Sequence, residues 1–250
     1  MRTGNLALTG LVLCVAAGSA LNASSIPDPG IYAFVAQSFG ATTVCNTSGG
    51  CSNGGASVDY ALSPGAYAHA HSGADGFTGG VTLYYYFDIT GGNFFDSVPL
   101  SIDYALAAHA GGPTSGDVDD ASADIRVSAA NGNSNQIASV FCGNTIRGAS
   151  CDAPLSGTLH LTGWVGYINT IQLDVSATIS GNGFADALAD PHVYIDPAFL
   201  TDHPGYGLAF SPSVGNSLAG VPEPASLFLV GCALLAGSLC LRRRTRVEPS

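Results

Sequence analysis

The central part of this 250-residue chain predicts an all-β fold, an antiparallel β-sandwich of jelly-roll type. Three observations carry the prediction. Runs of β-branched and aromatic residues recur at 31–39, 66–71, 81–89, 99–107, 123–129, 136–141, 157–163 and 170–179, and several alternate in polarity with the two-residue period of a strand. Clusters such as Thr90-Gly91-Gly92-Asn93 and Gly111-Gly112-Pro113 separate the runs, as turn residues do. Between residues 24 and 220 no segment combines a helix cap with a 3.6-residue apolar period. Eight or more short strands at this spacing suggest two packed antiparallel sheets.

Taken in order, residues 1–23 have the layout of a secretory signal peptide. Arg2 is followed by an apolar run at 6–17 and a small-residue exit, Gly18-Ser19-Ala20 or Leu21-Asn22-Ala23. Twelve apolar residues are too few to cross a bilayer. Cys14 is not read as a lipoprotein attachment site, because Leu13 before it is too large and cleavage there would cut the apolar run.

Residues 24–212 then form one ectodomain, followed by a short flexible linker at 213–220. Sixteen aspartates, no glutamate and only Arg126 and Arg147 lie in this part, a formal charge of −14. Such a surface has nothing with which to displace counterions from phosphates, which excludes nucleic acid as a partner. Lysine is absent from the whole chain, so ion-pair networks are not what holds the fold. Apolar burial, backbone hydrogen bonds and disulfides or bound cations must do so. Of seven cysteines, three lie in the terminal apolar segments and four form the close pairs Cys45/Cys51 and Cys142/Cys151. In an exported domain an even count reads as disulfides. Local pairing within each couple is favoured over long-range pairing, and neither spacing is that of a zinc site.

Two runs have a definite burial pattern. The run 81–87, Val-Thr-Leu-Tyr-Tyr-Tyr-Phe, reads as a central strand buried on both faces, whereas 170–179 alternates like a half-buried one. Downstream, Val193 and Ile195 are placed on one face and His192, Tyr194 and Asp196 on the other, within a closing strand pair ended by Asp-Pro steps.

Several residues invite a chemical reading beside a structural one. His69-Ala70-His71 puts two imidazoles on one strand face, either toward a metal or as a polar surface. Asp117, Asp119, Asp120 and Asp124 offer hard oxygens of the kind calcium takes. They lack the ordered spacing of an EF-hand, and a solvated acidic loop is the competing reading. Asp190, Asp196 and Asp202 recur at intervals of six but serve as turn residues. Paired carboxylates for glycoside hydrolysis are not picked out by any recognisable motif. Trp164 is read as a core residue or a sugar-stacking ring. No nucleophile elbow, HExxH, P-loop or dinucleotide fingerprint is present, so the chain is read as non-enzymatic, without a cofactor unless calcium binds.

The C-terminus is organised differently. Pro222-Glu223-Pro224 precedes 17 uncharged residues, 225–241, and then Arg242, Arg243, Arg244 and Arg246. As a helix the apolar stretch is about 25 Å long, close to the hydrocarbon thickness, and the arginines place the end beyond it in the cytoplasm. This order of motif, apolar span and basic tail over residues 221–250 resembles the PEP-CTERM sorting signal of exopolysaccharide-producing Gram-negative bacteria. The resemblance implies a membrane precursor and a sorting protease of exosortase type that acts on the Pro-Glu-Pro segment. The stretch Ala189-Asp190-Pro191-His192-Val193-Tyr194-Ile195-Asp196-Pro197 with Tyr206-Gly207-Leu208-Ala209-Phe210 also resembles the membrane-proximal pattern of such ectodomains. The expectation is an exported, non-enzymatic surface or matrix protein found with exopolysaccharide or biofilm. The alternative is a lectin-like or carbohydrate-active module, which a sheet face with exposed aromatics near carboxylates would favour.

Overall fold

Alternation in the sequence becomes alternation in burial. In the computed structural model the described residues are 25–216, apart from 39, 47–48, 64, 113–118, 130–134 and 145–149. The signal peptide, the Pro-Glu-Pro motif, the span at 225–241, the arginine tail and Asp117 therefore lie outside the described residues.

Among the described residues the strands are β1 (Gly30–Gln37), β2 (Thr42–Val44), β3 (Gly50–Ser52), β4 (Ala56–Ala61), β5 (Tyr67–Ser72), β6 (Phe77–Thr90), β7 (Ser97–Gly111), β8 (Asp119–Ser128), β9 (Asn135–Asn144), β10 (Cys151–Trp164), β11 (Asn169–Ile179), β12 (Phe184–Ile195) and β13 (Gly207–Phe210). One short helix, α1 (Pro197–Asp202), stands between the last two. The fold is all-β, as its periodicity predicts. One sheet has the order β2-β1-β6-β11-β8-β9, with β13 added beside the end of β6; the other has the order β10-β7-β12-β5-β4-β3. Every pairing is antiparallel. From β5 to β12 the chain changes sheet at each connection except the β8–β9 hairpin.

The two inner faces differ in size and so fit one another. The first sheet contributes Val81, Leu83, Tyr85, Phe87 and Ile89 from β6, Ile125 and Val127 from β8, and Ile171, Leu173 and Val175 from β11. Much of the second contributes only methyl groups: Ala68 and Ala70, Ala108 and Ala110, Ala185, Ala187 and Ala189. Large residues packed against small ones fill the interlayer space at the density of a protein interior.

Four expectations change. β6 is central, but only one of its faces is buried: Tyr84 is 37% exposed, because the outer side of the sheet carries no further layer among the described residues. The Asp196-Pro197 step ends β12 and also starts α1. Asp196 Oδ1 accepts from the Ala198 amide at 2.8 Å, and Pro197 occupies the first helical turn, both being favourable helix-starting features. Val193 and Ile195 do face inward, yet β13 closes on β6 of the other sheet, Gly207 opposite Thr90, and makes no strand pair with β12. Strands β2, β3 and β4 fall outside the runs named above, being short and rich in Ser, Thr and Gly.

Cys45 is bonded to Cys51 and Cys142 to Cys151, with Cα separations of 5.9 and 5.6 Å. Both are local in sequence, and each joins the two sheets. Cys45 follows β2 and Cys51 lies in β3; Cys142 lies in β9 and Cys151 opens β10. These are the edges at the two sides of the sandwich. For such short loops the chain-entropy account gives about 2–3 kcal/mol each. Replacing Cys142 and Cys151 together by alanine should therefore lower the thermal midpoint by about 5–10 °C. Calorimetry checks the size, and non-reducing peptide mapping checks the pairing.

Candidate functional site

Among the described residues neither sheet has a further layer on its outer side, so the outward residues of the first form a surface whose composition follows from strand register. On β6, Thr82 and Tyr84 point outward between the buried Val81, Leu83 and Tyr85. Tyr32 of β1 stands opposite Thr82, Thr82 opposite Asp174 of β11, and Asp174 opposite Asp124 of β8. Ser139 of β9 ends this row. The neighbouring row runs Tyr84, Gln172, Arg126 and Ile137. At the spacing of adjacent strands, the distance from Tyr32 to Asp124 is about 14 Å.

The site has an aromatic side and a polar side. Tyr32 is 47% exposed, and its ring centroid lies 5.6 Å from that of Phe34. Tyr84 and Phe34 lie on glycines: a side chain at Gly30 would collide with the Tyr84 ring, and one at Gly80 with Phe34. Missing β-carbons thus let both rings lie down on the sheet. On the polar side, Asp174 accepts from Thr82 Oγ1 at 2.8 Å and from Gln172 Nε2 at 2.7 Å. Burial holds the Asp124 carboxyl above the ordinary carboxylate range, with Arg126 opposing and Asp174 reinforcing the shift. The rings offer apolar faces, and next to them are fixed acceptors, an amide and a guanidinium.

Of the acidic run that offers oxygens to calcium, the described members Asp119, Asp120 and Asp124 are separated by strand alternation, and Asp117 lies outside the described residues. Asp119 is buried at the start of β8, whereas Asp120 and Asp124 face outward, four residues apart. Four residues of strand cover about 13 Å, too far for one ion. Among the described residues no three His, Cys, Asp or Glu side chains converge in a way that could hold a metal ion. Of the run, Asp124 joins the aromatic-carboxylate face. Trp164 is half-buried at the end of β10, and of the tyrosines at 84–86 only Tyr85 is fully buried.

The opposite outer face has another chemistry. It collects His69 and His71 of β5, His109 of β7, His160 of β10 and His192 of β12, five of the chain's six histidines. The His69–His71 spacing shows in the sequence, but their partners do not. His69 bridges Asp59 Oδ2 at 3.0 Å and Asp186 Oδ1 at 2.8 Å. His71 lies 3.5 Å from Asp186, and His109 lies 2.9 Å from Asp152. Both nitrogens of His69 are thus occupied by carboxylates, which leaves neither for a metal. The hydrogen bond to Asp186 is the main cause raising the His69 pKa against burial. Asp186 is itself lowered: burial pushes it up, but its contacts with His69 and His71 outweigh that.

No protein-family model matches the chain, and no curated protein matches it.

The histidine bridge has a defined pH window. A raised His69 stabilises the folded state below the unfolded value of 6.5 and loses that contribution as pH rises through its folded value. A lowered Asp186 contributes above 3.8 and ceases to do so as pH falls through its folded value. Asp186→Asn should therefore destabilise most between about pH 4 and 6.5 and much less at pH 8.5. The loss should be under about 1 kcal/mol, because the pair is part-exposed. Thermal melts of both proteins across this range measure it.

Proposed function

We propose that the protein is an exported, non-enzymatic surface or matrix protein whose β-sandwich binds extracellular polysaccharide through the Tyr32–Tyr84–Asp174 face. The observation that carries the reading is the pair of adjacent cross-strand rows that put exposed Tyr32 and Tyr84 on one face with the hydrogen-bonded carboxylate of Asp174. Sugar rings present apolar C–H faces ringed by hydroxyls. The first pack on aromatic rings and the second bond to Asp174, Gln172, Asp124 and Arg126. A row of about 14 Å accommodates a short stretch of chain rather than a single sugar. The passage of β5 to β12 back and forth between two four-strand sets supports a jelly-roll topology for the binder.

Binding is favoured over hydrolysis despite the carboxylates facing each other across β8 and β11. A raised Asp124 beside Asp174 is the pairing a glycosidase would use. The face is an open sheet surface, however, with Tyr32 and Tyr84 both exposed, and such a surface does not grip a sugar ring from both sides, as distortion toward the transition state requires.

Sorting rests on the C-terminal signal. Pro222-Glu223-Pro224 would stand outside the membrane as an extended segment, since prolines oppose helix there. A protease of exosortase type would cut near it. The two local disulfides fit an oxidising compartment.

A glycan array with residues 24–220, with and without calcium, tests the binding. Tyr32→Ala and Tyr84→Ala should each weaken the best ligand about ten-fold, equivalent to about 1.4 kcal/mol, while leaving the melting temperature nearly unchanged. Absence of any glycan ligand, or equal binding by both variants, would overturn the reading. For sorting, Glu223→Ala should retain the full-length precursor in the inner membrane. Intact-mass measurement of the exported protein should show the arginine tail gone.

A further inference from the structure

An exposed aromatic cluster lies away from the proposed glycan face, on the β6–β7 and β10–β11 loops. Phe94 and Phe95 are 61% and 56% exposed. Their centroids lie 4.3 Å apart, and Phe94 stacks on Tyr167 at 5.8 Å with 25° between the planes. Phe95 also lies 5.5 Å from Tyr167. A bulky residue with φ of 73° is an unfavourable choice in a turn, and Phe95 holds that conformation while exposed.

The loop is rigid by its hydrogen bonds. Asp96 Oδ2 accepts from the Asn93 amide at 2.6 Å and from the Tyr206 hydroxyl at 2.8 Å. The Phe95 amide donates to the Val165 carbonyl, and the Val165 amide to the Asp96 carbonyl. Gly91 and Gly92, at φ 83° and 69°, bring the turn against Gly205 and Tyr206, where a side chain would collide. Gly166 leaves room for the Phe94 ring in the same way. The scaffold therefore holds two phenylalanines out in the solvent where a flexible loop would fold them back.

What would cover them is shown by where the chain leaves the domain. β6, β10 and β12 end at this end of the sandwich, as the pairings of Trp164 with Ser97 and of Ile195 with Leu100 require. Asn216, the last described residue, is pinned in that half of the molecule. Its Oδ1 accepts from the Val193 amide at 3.0 Å, and its carbonyl accepts from His192 Nε2 at 3.0 Å. Only residues 217–224 separate it from the apolar run that begins at Ala225. Eight residues reach at most about 30 Å, so an anchored chain keeps this end toward the bilayer.

We propose that Phe94, Phe95 and Tyr167 form a membrane-contact tip, seated in the boundary between headgroups and acyl chains of a zwitterionic bilayer while the precursor is anchored. The proposal rests on the anchor reading of residues 225–241. Phenylalanine and tyrosine rings suit that boundary layer, and phenylalanine lacks the polar handle a sugar platform would use. Asp96 and Asp202 at the same end, on a domain of formal charge −14, select a neutral rather than an anionic surface. The tip would orient the domain on the membrane, directing the glycan face sideways and the Pro-Glu-Pro segment at the bilayer surface.

The chain contains a single tryptophan, Trp164, which allows a direct test. In a Trp164→Phe background, Phe94→Trp, Tyr167→Trp and, at the opposite end, Phe184→Trp each give a one-tryptophan full chain. Each is reconstituted into phosphatidylcholine vesicles with brominated acyl chains. Emission from Phe94→Trp and Tyr167→Trp should fall about two-fold or more, as expected for rings in the interface, with Phe184→Trp unaffected. Chains that float with the vesicles and resist alkaline extraction, yet show no more quenching at either tip position than at 184, would overturn the tip and leave the anchor standing. Chains that do not float would overturn both.

Discussion

The sandwich depends on one packing arrangement: large side chains on one inner face against an alanine-rich stretch of the other. With sixteen aspartates against two arginines in residues 24–220 and no lysine anywhere, the chain has little attractive electrostatics with which to bring the sheets together. Leu83, Phe87, Ile125 and Leu173 supply the apolar area, while Ala70, Ala108, Ala187 and Ala189 let the second sheet approach closely enough to exclude water from it. A larger residue at these alanines would have to lift the sheets apart along their length.

The two disulfides complete that arrangement at its weakest places. A sandwich is open along its two lateral edges, where the outermost strands have a neighbour on one side only. Cys45–Cys51 ties β2 to β3 at one edge and Cys142–Cys151 ties β9 to β10 at the other. Because each crossover from sheet to sheet is made within a few residues, bonds that look local in the sequence act between layers. Pro154 lies in the edge strand β10, where a sheet tolerates proline.

Two packed sheets leave two outer faces, and the alternation that builds the core assigns their chemistry. One face sets Tyr32 and Tyr84 beside Asp174, Gln172 and Arg126; the other sets five histidines among Asp59, Asp152 and Asp186. The first has the composition of a recognition surface. The second carries imidazole–carboxylate contacts of His69, His71 and His109. In the proposed function it is the tyrosine face that meets polysaccharide.

By itself the sequence determined the fold class, the main strands and the cysteine pairing, because each rests on short-range information. Alternation in 170–179 records which residues of β11 face inward, and the distance between Cys142 and Cys151 in the chain limits what either can reach. Register was decided only by the tertiary structure. Asp124 and Asp174 are 50 residues apart in the chain yet face each other across β8 and β11, and Asp59 meets His69 while Asp186 arrives from 117 residues away. The same step separated Asp119 from Asp120 and Asp124, since neighbours in a strand point to opposite faces. It also turned Val81 to Phe87 from a doubly buried strand into one whose outward tyrosine helps to form a surface. A run of apolar residues shows that a strand is central but not whether a third layer covers it, and that depends on elements far away in the chain.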